Sequence, residues 1–167
     1  PVERDDIILF ERDAAFVLKN VLSPTECQFY IDEAEKIGIP HLDYSTGYKI
    51  EYRNNARLLM RSVELADLLW KRTSHIFPPV HITPENKTQY GGINVTGLWR
   101  PIGFNDTFRL CRYNPGGHFA PHYDGHFLRS SVVRSLKTFM LYLNGGFEGG
   151  KTNWVDENQM LFQDPKT

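Results

Sequence analysis

The sequence predicts a mainly β domain with flanking helices, an α+β chain. Two observations carry that reading. Helix boundary signals appear only in the first half, around residues 23–38 and 62–78. After residue 107 short apolar runs alternate with Gly-rich turns, the pattern of a sandwich or barrel. The 167 residues suit a single domain with its own core. Its parts are a helical N-terminal portion, about 1–97, and a β core, about 98–167.

Residues 7–22 are rich in Ile, Phe, Val and Leu and read as one or two strands, with Arg12-Asp13 as a break. Ser23 then reads as a helix N-cap. Pro24 takes the first helical position and Glu26 completes a capping box. Gly38 and Pro40 stop the helix after Ile37. Cys27, Tyr30, Ile31, Ala34 and Ile37 recur at helical spacing and predict its packed face.

Residues 41–61 read as polar and irregular. Arg53, Arg57 and Arg61 there are either a substrate-facing cluster or solvated and locally paired side chains. Ser62 caps a second helix, through about His75. Leu65, Leu68, Leu69 and Arg72 line one side, and Pro78-Pro79 end it. Residues 82–106 read as a long loop with a short strand near Ile93. Loops of this length are often lids, and Trp99 is either a lid residue or a packing residue. Strands are expected at 107–113, 118–123, 137–144 and 151–155.

Composition excludes several classes. A net charge of −1 leaves no basic surplus for a nucleic-acid footprint. No apolar run approaches the ~20 residues of a membrane span. Two cysteines, Cys27 and Cys111, form neither a disulfide framework nor a C-x-x-C pair, which favours a reducing, cytoplasmic compartment. The chain begins at Pro1 rather than Met, so the lack of a signal-peptide pattern decides nothing. Three Asn-x-Thr matches, at Asn86, Asn94 and Asn105, matter only in a secreted protein.

The chemistry points to Arg112-Tyr113-Asn114-Pro115-Gly116-Gly117-His118-Phe119-Ala120-Pro121-His122-Tyr123-Asp124-Gly125. In extended backbone, positions i and i+2 face the same way. His122 and Asp124 therefore present an imidazole and a carboxylate side by side. That is two thirds of the 2-His-1-carboxylate set that holds non-haem Fe(II). The spacing alone is common, so the surroundings must carry the argument.

They do so through a resemblance. That stretch, then Thr138-Phe139-Met140-Leu141-Tyr142-Leu143-Asn144, then Gly149-Gly150-Lys151-Thr152, resemble prolyl-4-hydroxylase-like Fe(II)/2-oxoglutarate-dependent dioxygenases. The match is specific over about residues 98–155. It is fainter upstream, at Leu22-Ser23-Pro24-Thr25-Glu26-Cys27 and Glu64-Leu65-Ala66-Asp67-Leu68-Leu69-Trp70. The resemblance implies a double-stranded β-helix, or jelly roll, with helices packed against one sheet. It implies His122 and Asp124 as the first two iron ligands. Tyr113 would line the 2-oxoglutarate pocket, and Tyr142 would hydrogen-bond the co-substrate's distal carboxylate. Thr138 shares a strand face with Met140 and Tyr142 and is expected to point into the same pocket. Core packing is the competing role for the tyrosines.

The family's third ligand is a distal histidine, followed by a basic residue that anchors 2-oxoglutarate. No histidine follows His126 in these 167 residues. The resemblance therefore implies a continuation beyond Thr167, or an incomplete iron site. His118 and His126 are the substitutes for the ligand, and Arg109 and Lys137 for the base. The implied reaction hydroxylates a C–H bond using molecular oxygen and 2-oxoglutarate, releasing succinate and CO2, with ascorbate keeping iron reduced. The substrate would be a protein, peptide or small molecule, peptidyl proline being the family's best-known case. Two other classes compete. One is a non-catalytic jelly-roll interaction module. The other is a zinc hydrolase built on His122 and Asp124, short of the three protein ligands such sites use.

Overall fold

The computed structural model describes residues 1–7, 15–42, 47, 49–90, 95–155 and 161–162. The expected break at Arg12-Asp13 and the strand near Ile93 lie outside them. Strands β1 (Glu3–Asp6) and β2 (Phe16–Lys19) form an antiparallel pair. Helix α1 spans Pro24–Ile37. The capping box forms as expected: the Glu26 N–H donates to Ser23 Oγ at 3.2 Å, and the Ser23 N–H donates to Glu26 Oε2 at 2.8 Å. Gly38 ends α1 at φ +89°, a conformation that favours glycine, and its N–H donates to the Ala34 carbonyl.

The segment expected to be irregular contains two strands, β3 (Arg53–Asn54) and β4 (Ala56–Arg61). Helix α2 (Val63–Thr73) follows, capped by Ser62 and extended by one 3-10 turn, Ser74–Ile76. Next come β5 (Val80–Ile82), β6 (Gly97–Trp99), β7 (Thr107–Arg112), β8 (His118–Phe119), β9 (Leu128–Ser130), β10 (Val133–Arg134), β11 (Trp154–Val155) and β12 (Leu161–Phe162). Described strands pair two by two, as β1-β2, β3-β8, β4-β7, β5-β6, β9-β10 and β11-β12, all antiparallel. They close no barrel. The architecture is α+β, with strands in both halves of the chain.

β4-β7 is the longest ladder, with Leu58 opposite Leu110 and Met60 opposite Phe108. Alternation divides its faces. Ala56, Leu58, Met60, Phe108 and Leu110 face the helices. Leu65 and the fully buried Leu69 of α2 pack there with Val21, Met60 and Phe108, while Ala34 of α1 and Ile39 pack with Ala56, Leu58 and Leu110. Burying a leucine this way contributes about 1.5–3 kcal/mol. Ion pairs add to this: Arg72 of α2 grips Glu26 of α1 at 2.7 Å, joining the helices, and Arg112 of β7 reaches Glu35 of α1 at 2.6 Å, joining helix to ladder. Ile37, expected on the packed face of α1, is 70% exposed instead. The helix ends there, and Ile39 beyond the Gly38 turn takes the buried place.

The expected strand pattern changes after β7, and of the 151–155 run only Trp154–Val155 is laddered. Only His118–Phe119 of the 118–123 run is laddered. The polar stretch 125–135 holds the β9-β10 hairpin, because a two-residue turn at Ser131-Val132 is enough to pair its ends. The run 137–144 is not a strand. Ladder hydrogen bonds need a partner backbone, and no described segment pairs with it. Its alternation of facing survives: Phe139 and Leu141 pack against the helix-side core, and Phe139 meets Phe104 at 4.5 Å between ring centroids.

Candidate metal and co-substrate site

The site grows out of the turn at Asn114–Gly117, where the Gly117 N–H donates to the Asn114 carbonyl at 2.7 Å. A Cβ on Gly117 would lie 2.8 Å from the Asn114 carbonyl oxygen and 3.0 Å from that of Asn54, so only glycine fits against β3. That close approach starts the β3-β8 pairing, with Arg53 opposite Phe119 and Asn54 opposite His118. The Ala120 N–H extends the pairing by one bond, to the Tyr52 carbonyl at 2.8 Å. His122 and Asp124 follow just beyond.

The two side chains meet. His122 Nε2 lies 3.4 Å from Asp124 Oδ1. His122 Nδ1 is 2.8 Å from the Ala120 carbonyl. A carbonyl only accepts, so Nδ1 donates there, and Nε2 is the nitrogen left to face Asp124. Metal-binding histidines are held in this way, through the nitrogen that does not bind. Asp124 Oδ2 accepts a 2.6 Å hydrogen bond from the Thr138 hydroxyl, leaving Oδ1 beside the imidazole. Two donors at about 2.1 Å from one ion stand roughly 3.0–3.4 Å apart for bond angles of roughly 90–110°. The observed separation fits a shared cation.

Among the described residues no third His, Cys, Asp or Glu joins them. His118 turns away, its Nε2 3.1 Å from the Glu51 carbonyl, and His126 does not complete a group either. Of the alternative bases, Arg109 is exposed on β7, and the Lys137 ammonium sits 5.9 Å from the Phe16 ring centroid.

Tyr113 directly follows β7. It is 47% exposed, and the part that is covered pushes its phenol above the ordinary value, with Cys111 adding to the rise, the Arg53 charge opposing it and Tyr142 adding again. The Tyr142 hydroxyl is hydrogen-bonded to the Thr152 hydroxyl, and more than half of the Tyr142 surface is open. Trp99 donates its indole N–H to the Val95 carbonyl at 2.6 Å and is partly buried, a packed residue of β6.

The three arginines singled out in the sequence part company. Arg61 pairs with Asp106 at 2.8 Å, and Arg57 lies on β4. Arg53 is 6% exposed, with its guanidinium carbon 4.1 Å from the Phe119 ring centroid. Phe119 in turn stacks on His122. Sequence reasoning grouped Arg53 with Arg57 and Arg61 and did not single out Phe119. The one available signal was Phe119's place within the glycine-led motif. No protein-family model, curated protein or solved structure matches the chain. No helix among the described residues is long and apolar enough to cross a membrane.

Proposed function

We propose that this protein is an Fe(II)/2-oxoglutarate-dependent dioxygenase that hydroxylates a C–H bond of a protein, peptide or small-molecule substrate. Peptidyl proline is the substrate that the resemblance implies. The observation that carries the reading is the convergence of His122 Nε2 and Asp124 Oδ1, each oriented by a further hydrogen bond. The fold proposed with it is a jelly roll, to which β7, β8 and the 137–144 run would contribute.

Fe(II) with 2-oxoglutarate and oxygen supplies oxidising power, leaving succinate and CO2, and ascorbate keeps the iron reduced. The chain supplies placement. His122 offers Nε2, its ring held through Nδ1 by the Ala120 carbonyl. Asp124 offers one oxygen while Thr138 occupies the other. Tyr113 and Tyr142 bring apolar rings with polar tips, suited to a flexible dicarboxylate. Thr138, expected among the co-substrate contacts, serves through Asp124 in this arrangement.

The test is anaerobic titration of Fe(II), then 2-oxoglutarate, into wild type, His122→Ala and Asp124→Ala. The reading expects metal binding in wild type and its loss in both variants. Equal binding in all three would favour a non-catalytic interaction module.

A further inference from the structure

Phe119 lies between a buried cation and the imidazole of the proposed site. Its ring centroid is 3.6 Å from that of His122, with the planes 20° apart. The Arg53 guanidinium carbon is 4.1 Å from the same centroid. One face of a phenyl ring has room for one planar group at such distances, so Arg53 and His122 occupy opposite faces. Tyr52 closes against Phe119 edge-on at 5.4 Å.

The stack is anchored at both ends. Arg53 and Phe119 are direct partners in the β3-β8 ladder, so backbone register sets their separation. Arg53 Nε donates to Asn55 Oδ1 at 2.7 Å, and its Nη2 reaches Cys111 Sγ at 3.5 Å. Asn55 is itself buried, and its amide donates to the Ala56 carbonyl. At the far end the Ala120 carbonyl holds His122 Nδ1. Turning a ring that is stacked on one face and bonded through one nitrogen breaks at least one of those contacts. Its other nitrogen then has one direction.

We infer that Arg53 and Phe119 are positioning residues that set the plane of the His122 imidazole. They thereby aim Nε2 at the divalent cation it shares with Asp124. The inference rests on the metal-site reading above. Arginine suits the role because a planar guanidinium can lie flat on a ring while its edge donates hydrogen bonds. A lysine ammonium keeps the charge and loses that fixed plane.

The experiment has two readouts, the first on the 167-residue chain and the second on the natural full-length protein. The first is NMR of the metal-free protein. The His122 ring protons are expected upfield of their unfolded positions, shielded by Phe119, with the proton on Nδ1. Unfolded-like positions in wild type would overturn the stack without any variant being made. The second is Co(II) titration followed by visible absorption. Phe119→Leu keeps the bulk and loses the flat face, and Arg53→Lys keeps only the charge. Both are expected to bind Co(II) ~10–100-fold more weakly with an altered spectrum, and Phe119→Trp to restore both. Wild-type affinity and spectrum in Phe119→Leu, with binding lost in His122→Ala, would overturn the positioning role alone. Equal Co(II) binding in wild type and His122→Ala would overturn the metal site and this inference together.

Discussion

The Thr138 hydroxyl donates to Asp124 Oδ2 at 2.6 Å, across fourteen positions of sequence. The bond fixes which carboxylate oxygen is left for His122. Thr138→Val keeps the shape and removes the donor. Metal affinity should fall ~10–100-fold, as it does when outer partners of a ligand are lost, while Thr138→Ser stays near wild type. Co(II) or Fe(II) titration measures it. Wild-type affinity in Thr138→Val would detach Thr138 from the site.

Tyr142 and Thr152 share one hydroxyl-to-hydroxyl bond, which separates packing from binding. Tyr142→Phe and Thr152→Val both break it, so both should leave apo stability within about 0.5–1.5 kcal/mol of wild type. Only Tyr142→Phe should also weaken 2-oxoglutarate binding. A charge-assisted hydrogen bond of about 1.5–3 kcal/mol corresponds to a ~10–150-fold loss. Anaerobic titration with a redox-inert metal measures it. Equal affinity in wild type and Tyr142→Phe would remove Tyr142 from the pocket.

Acid should loosen the packing of α1 on α2. Hydrogen bonds from Arg72, then from the Ser23 backbone and hydroxyl, lower the Glu26 carboxyl from 4.5 to about 2. A carboxyl lowered by folding stabilises the protein fully above its unfolded value. That contribution is lost as pH falls through the folded value. Wild type should therefore exceed Glu26→Gln in stability at neutral pH, and the gap should shrink between pH 4.5 and about 2. Denaturant titrations across that window measure it, and a constant gap would contradict the assignment.

Leu69 has no exposed surface and sits where α2 meets the β4-β7 ladder. Leu69→Ala should cost about 2–5 kcal/mol, read as a lower midpoint in denaturant. Leu59→Ala, on the open face of β4, should cost far less. Similar losses at the two positions would mean that the ladder's faces are assigned the wrong way round.

Local chemistry was legible in the sequence. Ser23, Glu26, Gly38 and Ser62 mark both helices because caps act within one turn. The meeting of His122 with Asp124 was legible because it needs only two-residue spacing. Pairing partners were not. β4 reads Ala-Arg-Leu-Leu-Met-Arg, whose adjacent apolar residues blur strand alternation, and only its ladder with β7 reveals the strand. The 137–144 run has strong strand character but no described partner, so propensity alone misled. Arg53 was read with Arg57 and Arg61 because all three look alike in sequence. Its burial against Phe119 depends on a contact 66 residues away along the chain.

Fe(II)-dependent release of succinate from 2-oxoglutarate, by the natural full-length protein and its His122→Ala variant, tests the central claim most directly. Succinate should form with wild type, only when Fe(II) and oxygen are both supplied, and His122→Ala should form none. Equal succinate from both proteins, or none from a wild type saturated with Fe(II) and 2-oxoglutarate, would contradict the dioxygenase reading.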